Sequence, residues 1–190
     1  DGVLAERGAG VQGVLNGVDV DDWNPETDRR IAARYSAEKP GGKEICREAL
    51  LREAGLPRGN DVPLIGIIGR LAAQKGVDLI EARLPKILER ARVVLLGSGD
   101  AGYEEAFRAA ARKQPDRLSA RIGYDEDFAH RIEAGADMLL MPSAYEPCGL
   151  SQMYSLRYGT VPVVRATGGL DDTVIDADGD PLRGNGFKFE

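Results

Sequence analysis

Three short stretches of this chain combine residue types suited to holding a phosphorylated ligand. In Gly69-Arg70-Leu71-Ala72-Ala73-Gln74-Lys75-Gly76, a guanidinium and an ammonium lie five residues apart directly behind an apolar run. Two cations on one connection can clamp a diphosphate, Arg70 forking onto its oxygens and Lys75 acting as a point charge. The alternative for both is a solvated surface charge. The stretch does not fit the phosphate-loop pattern Gly-x-x-x-x-Gly-Lys-Ser/Thr. In Met141-Pro142-Ser143-Ala144-Tyr145-Glu146-Pro147-Cys148-Gly149-Leu150-Ser151-Gln152, a carboxylate stands between two prolines, and Pro147 and Gly149 bend the chain into a helix-like segment. The amides of Gly149, Leu150 and Ser151 at that helix start suit phosphate oxygens. Glu146 beside an anion is unfavourable unless something polar lies between them, and a sugar joined to a phosphate is such a group. The alternative is a solvated turn carboxylate. The third stretch, Gly97-Ser98-Gly99-Asp100-Ala101-Gly102, is a literal Gly-x-Gly-x-x-Gly. It reads either as a dinucleotide fingerprint or as a tight glycine turn. Its mid-chain position, the charged segment after it and the lack of an acidic residue about 20 positions on favour the turn. Thr167-Gly168-Gly169-Leu170 offers further amides, and Tyr124 after Gly123 can stack on a base or stand as a plain surface aromatic.

The elements that must position these residues are legible as short apolar runs. Segments 64–68, 93–96, 118–122, 138–141, 161–164 and 187–189 have the length and continuity of strands buried on both faces, and 13–15 is read the same way. Stretches rich in Ala, Glu, Arg and Leu at 43–54, 77–90, 103–113, 126–134, 150–158 and 171–175 read as helices. Strand, glycine turn and helix in repetition predict an α/β fold, a Rossmann-like doubly wound parallel sheet. Ligands of such sheets bind outside the carboxyl ends of the strands, which is where Arg70, Lys75 and Glu146 fall.

The 190 residues are expected to form one domain over 1–190, with 27–42 an exposed polar connection. With 25 basic and 31 acidic residues the net charge is −6, which argues against a nucleic-acid partner. No apolar run approaches the ~20 residues a membrane span needs, and no targeting segment precedes the first element. Cys46 and Cys148 are too few for a disulfide framework and suggest a reducing compartment. Glycine is abundant, 24 residues, yet neither periodic nor pooled, so it punctuates rather than links. The acidic patterns Asp19-Val20-Asp21, Asp125-Glu126-Asp127 and Asp176-Ala177-Asp178 resemble motifs of metal-dependent transferases but are expected by chance among 31 acids. The run at 176–180 fails as a calcium loop, since Pro181 stands where that loop requires glycine. One histidine and two separated cysteines make no zinc pattern, and His130 is read as structural.

Taken in order, Asn16-Gly17-Val18-Asp19, Gly69-Arg70-Leu71, Gln74-Lys75-Gly76, Glu146-Pro147-Cys148-Gly149-Leu150 and Thr167-Gly168-Gly169-Leu170 resemble bacterial glycogen synthase and plant starch synthase. The likeness runs across nearly the whole chain and covers the carboxyl-terminal half of a GT-B glycosyltransferase. It implies transfer of glucose from ADP-glucose to the non-reducing end of an α-1,4-glucan, with retention and with neither metal nor cofactor. By that resemblance Arg70 and Lys75 bind the donor diphosphate, and Glu146 holds glucosyl hydroxyls. Cys148, Gly149, Leu150 and Ser151 line the phosphate turn, with Gly168 and Gly169 adding amides. Gly123 and Tyr124 receive the adenine, and Asn16 lies near the donor. Two departures stand out. Ala144 occupies a position often held by Arg, and Tyr154 replaces the second Glu of the broader Glu-x7-Glu transferases. The likeness also implies an absent amino-terminal domain carrying the acceptor cleft, a catalytic His and a Lys-x-Gly-Gly loop. Lys39-Pro40-Gly41-Gly42 matches that loop by letter only. The chain starts at Asp1 and stops before the expected terminal helices, as a fragment or processed product would, so turnover by it alone is not expected. The implied location is the cytoplasm of a bacterium, or a plastid in a plant or alga. The other readings are a non-catalytic nucleotide-binding or interaction module of the same fold, and a dinucleotide-dependent oxidoreductase.

Overall fold

A run such as Arg-Val-Val-Leu-Leu-Gly has no polar face to offer water, so it must lie inside a sheet covered on both sides. The computed structural model, which describes residues 2–59 and 62–190, places it there. Its strands are β1 (Leu64–Ile68), β2 (Arg92–Gly97), β3 (Leu118–Ile122), β4 (Met138–Met141), β5 (Val161–Arg165) and β6 (Phe187–Phe189). They form one sheet in the order β3-β2-β1-β4-β5-β6, and every neighbouring pair is parallel. The helices are α1 (Gly2–Arg7), α2 (Gly41–Glu53), α3 (Val77–Arg90), α4 (Ala101–Lys113), α5 (Glu126–Gly135), α6 (Ser151–Arg157) and α7 (Gly168–Thr173).

Leu84 and Leu88 of α3 and Phe107 of α4 pack with Val93 and Leu95 on one face of the sheet. On the other face Leu50 and Leu51 of α2, Phe128 and Ile132 of α5 and Leu170 of α7 pack with Val94, Leu96, Leu139 and Val164. All of β2 is buried, whereas β4 and β5 alternate between buried and half-buried residues. The chain winds outward from β1 to β3 and then returns to place β4 against the free side of β1. This reversal parts the connections after β1 and β4 and leaves a crevice between them, the usual ligand position in open parallel sheets.

The structure departs from the sequence expectations in three places. Segment 13–15 is exposed and irregular rather than a strand, with Val14 90 % accessible. A three-residue run gains nothing from strand geometry without a neighbour to pair with. The last helix spans Gly168–Thr173 rather than 171–175, because the two glycines read as a turn form its first turn. Segment 27–42 is more than an exposed connection. Asp28, Ile31 and Tyr35 are buried, and the Tyr35 hydroxyl donates to the Tyr158 carbonyl at 2.8 Å.

A buried polar chain ties α2, α5 and α6 together. The Lys43 ammonium donates to the carbonyls of Ala134 and Tyr158 and to Thr160 Oγ1 at 3.2, 3.1 and 2.7 Å. The Ser155 hydroxyl donates to Glu133 Oε2 at 2.7 Å. Burial pushes the Glu133 carboxyl up to about 8 and the Lys43 ammonium down to about 8. For Glu133 the folded chain holds a proton that the unfolded chain has released, so its contribution to stability falls as pH rises from about 4.5 to about 8. Lys43 acts oppositely above that window, where its contribution recovers as pH rises from about 8 to about 10.5. Glu133→Gln keeps an acceptor for Ser155 and removes the first effect. Urea denaturation at about pH 5 and about pH 8 is expected to show the variant gaining on the parent at the higher pH, on the order of 1 kcal/mol per pH unit at most. Equal differences at both pH values would contradict this assignment.

Candidate functional site

The connection leaving β1 is pinned before it reaches the crevice. The Leu71 amide donates to the Ser98 carbonyl at 2.9 Å, and the Asp100 amide donates to the Leu71 carbonyl at 2.8 Å. The chain then tightens into a single 3-10 turn at Ala73–Lys75 and enters α3 through Gly76 at φ 69°. A Cβ at Gly76 would overlap the carbonyl of Pro142, so glycine lets the two connections touch there. Contact at this point delivers Lys75 to the far wall, where its ammonium pairs with Glu146 Oε2.

Glu146 is a buried carboxylate, and the buried Ser143 hydroxyl donates to its Oε2 at 3.2 Å. Gln74 staples the two walls together. Its carbonyl accepts the Ala144 amide at 2.9 Å, and its side-chain oxygen accepts from Arg70 Nη2 at 2.9 Å. Arg70, Lys75, Ser143, Glu146, Gly149, Leu150 and Ser151 line a cleft of about 220 Å³. α6 opens onto this cleft with no side chain capping its amino end, so its first amides remain available to an anion.

A second cavity, of about 640 Å³, adjoins the first along Gly69, Arg70 and Ser151. It lies outside the carboxyl ends of β1, β2 and β3 and is lined by Trp23, Ser98, Gly123 and Tyr124. Tyr124 is 86 % accessible, a flat aromatic face without a cover. Another cavity, of about 630 Å³, contains Pro63, Arg90 and Met138 at the opposite end of the sheet. That is the wrong edge for a ligand of this fold.

The Glu146 turn is held from behind by α7. The Gly169 amide donates to the Glu146 carbonyl at 2.9 Å, and a Cβ at Gly169 would overlap the Cys148 backbone. The buried Gln152 reaches the Cys148 and Gly149 carbonyls and Thr173 Oγ1, each at 3.0 Å.

The structure thus brings Arg70, Lys75, Glu146, Gly149, Leu150 and Ser151 into one cleft and places Gly123 and Tyr124 in the cavity beside it. Asn16 is exposed and lines neither space. Cys148, Gly168 and Gly169 line neither and form the wall behind Glu146. Sequence reading gave no role to Ser143, Gln74 or Trp23. Ser143 could have been noticed as the polar residue three before Glu146. Gln74 stood in one of the motifs quoted for the resemblance, but its role, like that of Trp23, depends on partners far along the chain.

The Gly97–Gly102 turn is occupied by its own side chains. The Gly99 amide donates to Glu104 Oε1 at 3.0 Å, and the Gly102 amide donates to Asp100 Oδ1 at 2.8 Å. Two carboxylates therefore sit where a pyrophosphate would be received at the start of α4. His130 is fully buried, with Nδ1 2.9 Å from Asp28 Oδ2, and has the structural setting expected of it.

A doubly wound α/β sheet with a cation–carboxylate cleft at its switch point defines a domain of the GT-B glycosyltransferase class. The chain belongs to the glycosyl transferases group 1 family, whose model matches residues 52–190. It is 60 % identical over 190 residues to a glycogen synthase from Anaeromyxobacter sp. (strain Fw109-5), spanning all of this chain and 40 % of that protein. It is 53 % identical over 190 residues to glycogen synthase 1 from Geobacter metallireducens, again across the whole chain and 38 % of that relative. The chain therefore spans about two fifths of the length of these curated relatives. The catalytic domain of starch synthase IV from Arabidopsis thaliana, solved with ADP and acarbose, superposes with a TM-score of 0.92 at 39 % identity. That match covers 99 % of this chain and 40 % of that one. The carboxyl-terminal domain of a glycosyl transferase group 1 protein from Francisella tularensis shares the fold, with a TM-score of 0.58 at 18 % identity over 82 % of this chain and 76 % of that one.

The support from α7 can be tested by Gly169→Ala. Overpacking against the Cys148 backbone is expected to cost about 1–3 kcal/mol, with roughly 2–4 °C lost per kcal/mol in a domain of this size. Melting followed by circular dichroism measures it, and an unchanged midpoint would remove α7 from the support of the Glu146 turn.

Proposed function

We propose that this chain is the donor-binding part of a glucan synthase that transfers glucose from ADP-glucose to the non-reducing end of an α-1,4-glucan with retention. The observation that carries the reading is the placing of Arg70, Lys75 and Glu146 around one cleft, continuous with a cavity beneath Tyr124. The glycogen synthase relatives support the glucan-synthase reading, and the starch synthase solved with ADP supports the choice of donor.

In this reading the glucosyl unit lies against Glu146, whose carboxylate accepts from sugar hydroxyls and does not act as a nucleophile. The diphosphate lies over the start of α6, taking the amides of Gly149, Leu150 and Ser151 on one side and Arg70 on the other. Lys75 exchanges Glu146 for phosphate oxygens and stabilises the charge that develops on the leaving ADP. The adenosine occupies the larger cavity, its base against Gly123 and Tyr124. Arg70 and Lys75 meet the leaving charge themselves, and no metal or cofactor is assigned to the step. The acceptor glucan is bound by another part of the full enzyme, so the isolated chain binds donor without turning it over. Bacterial relatives point to a cytoplasmic protein. No helix among the described residues is long and apolar enough to cross a membrane. A nicotinamide role is disfavoured by the carboxylates that fill the Gly97–Gly102 turn.

Calorimetric titration with ADP tests the reading. Saturable binding is expected, and Arg70→Ala removes a charge-assisted contact of about 1.5–3 kcal/mol, weakening ADP by roughly 10- to 100-fold. NAD is expected not to displace ADP. Absence of heat with ADP at millimolar protein, or an Arg70→Ala variant that binds like the parent, would overturn the donor site.

A further inference from the structure

A second group of ligand-type atoms lies where residues 19–23 meet the first turn of α5. One carboxylate oxygen each from Asp22 and Glu126 and a ring nitrogen of His130 all fall within 4.8 Å of one another. Glu126 and His130 are four apart on α5 and so share a face of the helix. His130 is 0 % accessible, and its Nε2 has no hydrogen-bond partner among the described residues. That nitrogen faces Asp22 Oδ2 at 3.9 Å, too far for a hydrogen bond. A buried nitrogen left unsatisfied is costly, and nothing else about this ring is loose.

The remainder of the imidazole is fixed. Nδ1 lies 2.9 Å from Asp28 Oδ2 and 3.3 Å from the Tyr158 hydroxyl, which itself donates to Asp28 at 2.6 Å. The Trp23 ring stacks on the imidazole at 3.7 Å between centroids. Asp28 Oδ1 accepts the Arg30 amide at 2.8 Å, which leaves Oδ2 to the ring and the tyrosine. Asp28 Oδ2, facing Nδ1, is placed to accept the ring N–H there. The Nε2 lone pair then faces Asp22, with Glu126 in the same group of ligand-type atoms. A carboxylate orienting a histidine whose other nitrogen is free is the usual outer support of a metal-binding imidazole. Asp22 keeps Oδ2 available, because Arg30 Nη1 occupies Oδ1 at 2.7 Å.

We propose that His130 Nε2, Asp22 and Glu126 form a binding site for a divalent transition-metal ion, zinc in preference to magnesium or calcium. One imidazole among oxygen ligands selects against the hard cations, and three protein ligands leave a coordination position for water. The ion closes residues 19–23 onto α5 and thereby fixes Trp23, which lines the larger cavity. It takes no part in glucosyl transfer, although Glu126, like Trp23, lines the larger cavity and its Oε2 accepts from the Tyr124 hydroxyl at 3.4 Å, so zinc is titrated without ADP.

His130 is the sole histidine of the chain, so its ring nitrogens can be followed without interference. Zinc is titrated into the metal-free chain by calorimetry while the imidazole is observed by nitrogen-15 nuclear magnetic resonance. One equivalent is expected to bind, shifting Nε2 while Nδ1 keeps its proton. Magnesium at the same concentration is expected to leave both unchanged. Glu126 is exposed, so Glu126→Gln leaves the fold intact and is expected to weaken zinc at least about tenfold, as is Asp22→Asn. Lack of saturable zinc binding would overturn the site, as would unchanged affinity in both variants. So would an imidazole protonated on both nitrogens at neutral pH that ignores zinc, since Nε2 then carries a proton directed at Asp22.

Discussion

The site depends on the contact between two connections that leave neighbouring parallel strands. β1 and β4 are adjacent in space yet separated in sequence by two complete strand–helix units. The chains leaving them diverge to opposite faces, and only where they part can a cation from one reach a carboxylate from the other. Gly76 against Pro142, Gln74 against Ala144 and Lys75 against Glu146 are three contacts across the same parting. The first sets the distance, the second sets the height, and the third sets the charge. An uncompensated carboxylate as buried as Glu146 would be costly, so Lys75 stabilises the cleft as well as equipping it to meet an anion.

Much of this was legible in the residues. Strands buried on both faces have no alternation to mask them, and their lengths and turns marked all six strands of the sheet and the edge where the cleft lies, along with a seventh at 13–15 that does not form. Arg70, Lys75 and Glu146 stood out because charged residues directly after buried strands have few reasons to be there. What the sequence could not show were pairings across long separations. Asp28, Ile31 and Tyr35 sit in a polar stretch that looks solvated until Tyr158 and His130 are brought beside it. Gly168 and Gly169 looked like open amide donors, whereas the Gly169 amide is engaged by the Glu146 carbonyl. The Gly-x-Gly-x-x-Gly string illustrates the converse: the letters are those of a dinucleotide turn, and only the positions of Glu104 and Asp100 show that its amides are already occupied.

The grouping of ligand-type atoms around the histidine was not legible for the same reason. Counting zinc ligands along the chain registers cysteine and histidine spacing, and this chain has almost none. Carboxylates are too common for their spacing to carry information. Only the fold shows that Glu126 and His130 share a helix face opposite Asp22, with Asp28 behind the ring.

The alternating burial of β4 and β5, set against the complete burial of β2, has a mechanical consequence. The connection carrying Arg70 and Lys75 leaves β1, which is paired to the fully buried β2, whereas Glu146 and the start of α6 follow β4, which is paired to the half-buried β5. Fewer buried contacts mean a lower free energy of local opening. The two jaws of the cleft are therefore unequal in stiffness, with the cationic jaw the anvil and the carboxylate jaw the part that yields when a ligand seats between them.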